Sequence, residues 1–355
     1  MQFAIALPTA ADAWKVVRRA EELGFAEAWF YDTQMLCADC FVAMGAAAVQ
    51  TSRIRLGTGV LIPSNRIAPV TANAFASLNR LAPGRIDFGV GTGFTGRRTM
   101  GLGAMKLADM EEYIRVVMAL LRNETVEYEI EGARKKIAFL DTELGLIDTQ
   151  HPVGLHVSAY GPKARALTAR LGAGWVNFVG DVAGGTAAMS AMRQSWEKAG
   201  RDAGTLTATA FALGCVLQEG EPLDSPRAIA QAGPRASVLL HRAADEALSG
   251  LPNTSPVPAE VAEAVAGYVA LSRSFPADAP WLENHRSHLM AVRENERPFI
   301  TPDLIRLTTF TGTEPDLLDR IAALRDAGYT QFTIQLIPGQ EQAIEDWGRL
   351  MRKFG

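Results

Sequence analysis

Apolar residues along this chain follow two rhythms that alternate. Short unbroken runs at 2–7 (QFAIAL), 26–31 (AEAWFY) and 54–61 (IRLGTGVL) have the continuous hydrophobicity of strands buried on both faces. Between them apolar residues recur every three or four positions, as on a helix that covers a sheet. The helix predicted over 10–23 has Trp14, Val17, Ala20 and Leu23 on one stripe, after Pro8 ends the first strand and before Gly24 closes the turn. Helices follow at 39–50 and 70–81, and Pro83-Gly84 turns the chain into a fourth strand at Arg85. The next helix, 107–121, carries Met110, Ile114, Val117 and Leu121 at helical spacing. The alternation then breaks over 123–147, where polar and apolar residues are mixed, and resumes with strands at 154–158, 174–179 and 206–217 and helices at 162–171 and 184–199. It is lost again over 219–309, with helices only at 227–248 and 258–271, and it ends with a helix at 314–327, a strand at 331–337 and a helix at 341–353.

Eight strands and eight covering helices are the arithmetic of an α/β fold closed as a (β/α)8 TIM barrel. A doubly wound sheet would need a domain break before so many strands. The expectation is one barrel domain over 1–355, with insertions after strand four (about 123–147) and strand seven (about 219–309) that form the walls of a substrate pocket. A barrel puts function at the carboxyl ends of its strands, where Asp32, Gly59-Val60, 91–95, 158–161 and Phe178 fall.

Composition narrows the classes. A chain of 355 residues, 48% hydrophobic and 21% charged with net charge −4, is an ordinary globular protein without the positive surface that nucleic acid or an anionic membrane attracts. No apolar run reaches the length of a membrane helix, and the chain opens on a strand instead of a signal peptide, so the expected location is the cytoplasm. Three cysteines make no disulfide framework. Cys37 and Cys40 form a lone C-x-x-C on what reads as the buried side of a helix, and His151, His241, His285 and His288 show no metal-ligand spacing, so no metal is expected. His156, inside the fifth strand, reads as a core residue.

The most unusual stretch is 85–101, RIDFGVGTGFTGRRTMG, a strand that ends in Gly91, Thr92, Gly93 and Gly96 with Arg97 and Arg98 beyond. Missing Cβ atoms at a strand end let a ligand approach the backbone. Gly91, Gly93 and Gly96 match G-x-G-x-x-G, but a dinucleotide site needs a helix opening on the third glycine and an acidic residue ending the next strand. No helix is expected before Lys106, and Asp109 and Glu111 fall inside it. A second candidate is Ser158-Ala159-Tyr160-Gly161-Pro162-Lys163, where a helix starts on Pro162 and free amides beside the Lys163 ammonium would seat a phosphate.

The segment 53–93, RIRLGTGVLIPSNRIAPVTANAFASLNRLAPGRIDFGVGTG, resembles the bacterial luciferase-like superfamily, more closely its coenzyme F420-dependent branch, and the match continues through 158–163. Weaker matches occur at 23–32 and from 310 to 339. The resemblance implies a flavin or 5-deazaflavin ring in the barrel mouth, with Asp32, Gly59, Val60, Gly91, Thr92, Gly93, Ser158, Ala159, Tyr160, Gly161, Pro162 and Lys163 contacting it. It also implies a non-proline peptide, often cis, at Gly59-Val60. Two positions depart from the pattern. Where F420-dependent sugar-phosphate dehydrogenases carry a histidine after the strand-two aspartate this chain has Thr33, and where they carry a glutamate after G-T-G it has Phe94, which argues against that substrate class.

The expectation is hydride transfer between coenzyme F420 and a small organic substrate, with Asp32, Thr33, Gln34, Thr95 and Arg97 as catalytic candidates and Arg97 and Arg98 orienting an anionic group. The alternative within the family is an FMN-dependent monooxygenase served by a flavin reductase, its oxygen chemistry shielded by Phe94, Tyr160, Trp175 and Phe178. Outside it stand a non-catalytic flavin-binding barrel and, more weakly, a metal-dependent hydrolase. A homodimer is a family expectation.

Overall fold

The computed structural model describes residues 1–251 and 256–354. Strands β1 (Gln2–Leu7), β2 (Glu27–Phe30), β3 (Arg55–Thr58) and β4 (Ile86–Val90) alternate with helices α1 (Trp14–Leu23), α2 (Cys40–Gln50) and α3 (Ala68–Leu81). After β4 come α4 (Phe94–Arg98), α5 (Leu107–Leu121) and a hairpin of β5 (Val126–Ile130) and β6 (Ala133–Ile137). Then follow β7 (Gly154–Ser158), α6 (Pro162–Leu171), β8 (Gly174–Phe178), α7 (Val182–Lys198), β9 (Ala208–Ala212) and β10 (Val216–Leu217). Helices α8 (Pro226–Ser249), α9 (Ala262–Ser272), α10 (Pro280–Asn284) and α11 (Pro302–Thr308) lead to β11 (Gly312–Thr313), α12 (Glu314–Ala327), β12 (Gln331–Gln335) and α13 (Ala343–Lys353).

Eight parallel strands close in the order β1-β12-β9-β8-β7-β4-β3-β2, so the TIM barrel expected from the alternation is present. Its strands bury one side against the covering helices, which is why they read as continuous apolar runs. The other side fills the lumen with Trp29, Tyr31, Val176 and Phe211 between the small residues Ala4 and Ala6. Trp29 explains two glycines: a Cβ on Gly57 would lie 2.6 Å from its ring, and one on Gly59 2.7 Å from its Cβ. His156 also points inward, its ring 5.1 Å from that of Trp29 in a T-shaped contact, and Nε2 lies 3.5 Å from Asp87 Oδ1. It belongs to a polar floor at the amino end of the barrel, where Arg55 grips Asp87 at 2.6 and 2.8 Å. Burial and the neighbouring Asp87 push the Glu27 carboxyl well above the usual carboxylate range.

Three expectations need correction. The insertion 123–147 follows α5 and precedes β7, so it hangs from the amino end of the barrel, away from the functional end. Its hairpin is mostly exposed, and its tail is tied to α3 by Arg80 Nε donating to Gly145 O at 3.0 Å and by Asp148 N to Ala76 O at 3.0 Å. The long strand expected over 206–217 is two, because Gly214 passes against the Phe310 carbonyl with no room for a side chain, and β10 pairs with β11 outside the barrel. A helix also forms well before Lys106: α4 makes one turn directly after Gly93, whose left-handed φ of 83° begins it. Gly96 lies inside that turn instead of opening a long helix, so the objection to a dinucleotide motif stands on a different ground. The second insertion does lie at the carboxyl end, built on its own core of Leu240, Tyr268, Leu304 and Ile305.

Candidate active site

Strands β2, β3, β4, β7 and β8 are consecutive neighbours around the barrel, so their carboxyl ends form one arc. Strand β3 stops at Thr58, the Gly59-Val60 peptide is cis, and Leu61 rejoins the sheet by a bridge to Val90. Val60 then meets the glycine end of β4: a Cβ on Gly91 would sit 2.8 Å from Val60 Cγ2 and 3.4 Å from Ser158 Cβ. Three segments far apart in the chain thus converge, and the missing side chain at Gly91 is what lets them.

Asp32 is buried at the end of β2 and fully engaged. Arg66 Nη1 donates to Oδ1 at 2.9 Å, while Ile62 N at 3.0 Å and Asn65 Nδ2 at 3.2 Å donate to Oδ2. This carboxylate organises the turn after β3. Gln34 continues the tie, accepting from Asn65 Nδ2 at 2.9 Å and donating to Gly96 O at 3.1 Å. Thr33 is nearly buried, and its carbonyl accepts from Leu36 N and Cys37 N. Cys37, Cys40 and Cys215 are free thiols, and Cys40 opens α2 instead of pairing with Cys37.

The arginines beyond β4 differ from the expectation of a substrate-anion clamp. Arg97 Nε donates to Gly103 O at 2.6 Å, and the side chain packs beside Gly93. Arg98 is buried and pairs with Asp245 on α8, Nη1 to Oδ2 at 2.5 Å, so it fastens the insertion to the β4 loop. Its guanidinium lies 3.8 Å from the Phe94 ring centre, and that of Arg242 lies 4.6 Å from it. Arg242 also reaches the Tyr160 hydroxyl. Burial and the nearby Arg242 pull the pKa of Arg235, one more cation on α8, down to about 10.

At β7, Ser158 and Ala159 lead to Gly161-Pro162, where α6 starts without any side-chain cap. Its first amides therefore find no side-chain acceptor. A Cβ on Gly161 would meet nothing within 4 Å, and the Nε of Arg165, one turn in, is a buried donor with no partner. An uncapped helix start, an orphaned guanidinium nitrogen and an open glycine suit a phosphate, with Pro162 and Lys163 exposed at the rim. Tyr160, half exposed, stacks on Phe178 with ring centres 6.3 Å apart, and Phe178 continues to Phe211 at 5.0 Å. Trp175 does not join this wall. It is wholly buried, donates Nε1 to Ala159 O at 2.8 Å and stacks on Tyr329, where it supports the loop after β7 from behind.

The histidines of the insertion, which spacing left unassigned, gather beside the mouth. His288 Nε2 lies 3.5 Å from Thr95 Oγ1, His288 Nδ1 lies 2.7 Å from His241 Nδ1, and His241 Nε2 lies 2.8 Å from Glu296 Oε1. His285 stands next to them and bonds Asp245 at 3.0 Å. A signal was present in the sequence: His241 and Asp245 sit four apart in the apolar run of α8, on a face that should hold only hydrophobic residues. Among the described residues no such group has the makings of a metal site, and no helix is long and apolar enough to cross a membrane.

Comparison with known proteins agrees with this geometry. The family model described as luciferase-like monooxygenase matches residues 4–331. A stretch of 141 residues is 38% identical to an F420-dependent glucose-6-phosphate dehydrogenase of Beutenbergia cavernae, covering 38% of this chain and 40% of that one. The matches to the first curated relatives span about 40 to 60% of their length. Among solved structures, the coenzyme F420-dependent tetrahydromethanopterin reductase of Methanopyrus kandleri superposes over all of both chains with a TM-score of 0.71 at 19% identity. The FMN-bound oxygenating component of 3,6-diketocamphane monooxygenase from Pseudomonas putida covers 98% of this chain and 95% of its own, with a TM-score of 0.60 at 13% identity. At such identities the likeness is one of fold.

Proposed function

This chain belongs to the luciferase-like monooxygenase family, and from that premise we propose that it is an oxidoreductase that binds coenzyme F420 and moves a hydride between it and the carbinol or carbonyl carbon of a small organic molecule. The observation that carries the reading is the meeting of Val60, Gly91 and Ser158 at the barrel mouth, next to the uncapped start of α6. The first provides a flat floor without a side chain from β4, and the second provides donors for a phosphate. F420 is preferred to FMN because the curated relatives carry that cofactor in their names.

When bound, the deazaflavin supplies the two-electron chemistry. The chain's own residues hold and shield it. Gly161, Lys163 and Arg165 take the phosphate, with the α6 amides donating to its oxygens. Gly59, Val60, Gly91, Thr92 and Gly93 back the ring, and Asp32 acts one step away by fixing the turn that presents Val60. Ser158, Ala159 and Tyr160 close one side, where Tyr160 stacked on Phe178 offers an aromatic wall. Phe94, held between Arg98 and Arg242, walls the substrate side with α8.

Turnover tests the reading. Under anaerobic conditions the F420-loaded protein, mixed with a panel of short secondary alcohols, should bleach the oxidised cofactor, and reduced cofactor with the matching ketones should restore it. No change beyond the rate of free F420 in either direction would leave a binding protein. An oxygenated product formed from reduced FMN, oxygen and a probe substrate, beyond what free reduced FMN yields, would instead place the chain among the monooxygenases, a reading the Tyr160 and Phe178 wall also accommodates.

A further inference from the structure

A line of four polar side chains runs from the insertion to the mouth of the barrel. Glu296, just before α11, is wholly buried. Arg293 holds it, donating from Nη2 at 2.7 Å and from Nε at 2.9 Å to Oε1. Next come His241 on α8 and His288 in the turn after α10, each about 1% exposed, and last Thr95 in α4, which is only partly buried. The contacts are 2.8 Å, 2.7 Å and 3.5 Å in that order.

Bookkeeping of protons gives the line a direction. A carboxylate pinned by an arginine can only accept, so His241 carries its proton on Nε2. Its Nδ1 is then bare. The 2.7 Å contact between two Nδ1 atoms needs one proton, and His288 must supply it. That leaves His288 Nε2 bare in turn, and the Thr95 hydroxyl, 3.5 Å away, is placed to donate to it. Every donor points toward Glu296, and the lone pairs of Thr95 Oγ1 are left for whatever enters the mouth. Burial disfavours a positive charge on His288, and the neighbouring His241 and His285 and the guanidiniums of Arg242 and Arg235 on α8 act the same way.

We propose that Thr95 is the group that exchanges a proton with the substrate oxygen, and that His288, His241 and Glu296 form the wire that sets its direction. The assignment rests on the oxidoreductase reading above. In alcohol oxidation the carbinol C–H bond breaks and its electron pair leaves with the hydrogen as hydride, for which bound F420 is the oxidant. The O–H proton passes to Thr95 Oγ1 while the proton of Thr95 passes to His288 Nε2, that on His288 Nδ1 to His241 Nδ1 and that on His241 Nε2 to the Glu296 carboxylate, so that both histidines stay neutral, and the C=O bond forms. Carbonyl reduction runs the same transfers in reverse. Thr95 touches the substrate, whereas the two histidines and Glu296 act through it.

The direct test needs neither cofactor nor substrate. In the full chain labelled with 15N-histidine, nitrogen spectra at neutral pH should show His241 protonated on Nε2 and His288 on Nδ1, with assignments made from His241→Gln and His288→Gln. A His288 protonated on Nε2, or a permanently charged His288, overturns the proposal, since Thr95 could then pass no proton inward. With F420 bound and secondary alcohols as probes, Thr95→Val should lose about 100-fold in kcat, with KM and F420 affinity within twofold of wild type, and Thr95→Ser should recover most of the loss. Full turnover by Thr95→Val also overturns it. Failure of F420 to bind defeats the cofactor reading instead, and the tautomer measurement still decides the wire.

Discussion

Asp245 Oδ2 lies 2.5 Å from Arg98 Nη1 with both side chains about 5% exposed, and this pair joins the helix of the insertion to the turn that follows β4. Asp245 also accepts from Asn284 Nδ2 at 2.7 Å and from His285, so the same carboxylate holds α8 to α10. One buried charge therefore fixes how the insertion covers the mouth.

Removing one member of a buried pair strands the other, which costs about 3 to 5 kcal/mol. Arg98→Met should lower the free energy of urea unfolding by about that amount. A loss below about 1 kcal/mol for the single variant would mean that the pair is not what anchors the insertion.

The start of α6 makes a separable prediction. A methyl at Gly161 has open space around it, so Gly161→Ala should melt with wild type. An anion coming to the α6 amides must pass that methyl, and F420 affinity should fall about tenfold, roughly 1.4 kcal/mol. Thermal melts and fluorescence titrations on the same samples check both halves. Unchanged affinity would move the phosphate elsewhere.

Asp32 should act through the turn it holds. Asp32→Asn keeps an acceptor for Ile62 N but loses the charge that Arg66 meets at 2.9 Å. F420 binding should weaken by about three- to tenfold, the scale of a lost charge-assisted hydrogen bond partly offset by the amide, while the solvent isotope effect on turnover stays as in wild type. A changed isotope effect would place Asp32 on the proton path.

Acid stability reports the histidines. Burial holds both His241 and His288 below the ordinary 6.5, with Glu296 pulling His241 back up and the charges of His285, Arg242 and Arg235 adding to the shift of His288. His285, Asp245, Arg98, Arg293, Glu283 and Glu296 also surround them, and the Asp245 and Glu296 carboxyls are held below their usual range. The unfolded chain thus takes up protons below pH 6.5 that the folded chain refuses, and stability is lost as pH falls through that window. The loss for His288 is at most about 2 kcal/mol by pH 5. The melting temperature should drop between pH 7 and pH 5, less steeply in His288→Gln. Equal slopes would show that His288 does not stay neutral in the fold.

The barrel was legible because its strands are buried on both faces and leave no polar alternation to confuse with helix. The glycine strand end and the Pro162 helix start were legible for a related reason: glycine and proline mark backbone demands that few other residues meet. Arg97 and Arg98 were misleading, since sequence shows a cation but not the carbonyl or carboxylate it will meet. Trp175 faces the helices because strand alternation turned it outward. The insertion after β9 was opaque. His241, His288 and Glu296 are brought together by a helical fold of their own, with Thr95 lying 193 positions before His288 in the chain, and no local spacing records such a meeting.

The central claim is that the ends of β3, β4 and β7 form one seat for a deazaflavin with a phosphate tail. Titrating the protein with F420 and, in parallel, with FMN, following the fluorescence of each, tests it most directly. The account predicts saturable F420 binding at one site per chain, weakened by Gly161→Ala and by Gly91→Val, with FMN binding less tightly. F420 binding that neither substitution alters, or FMN binding where F420 does not, would contradict it.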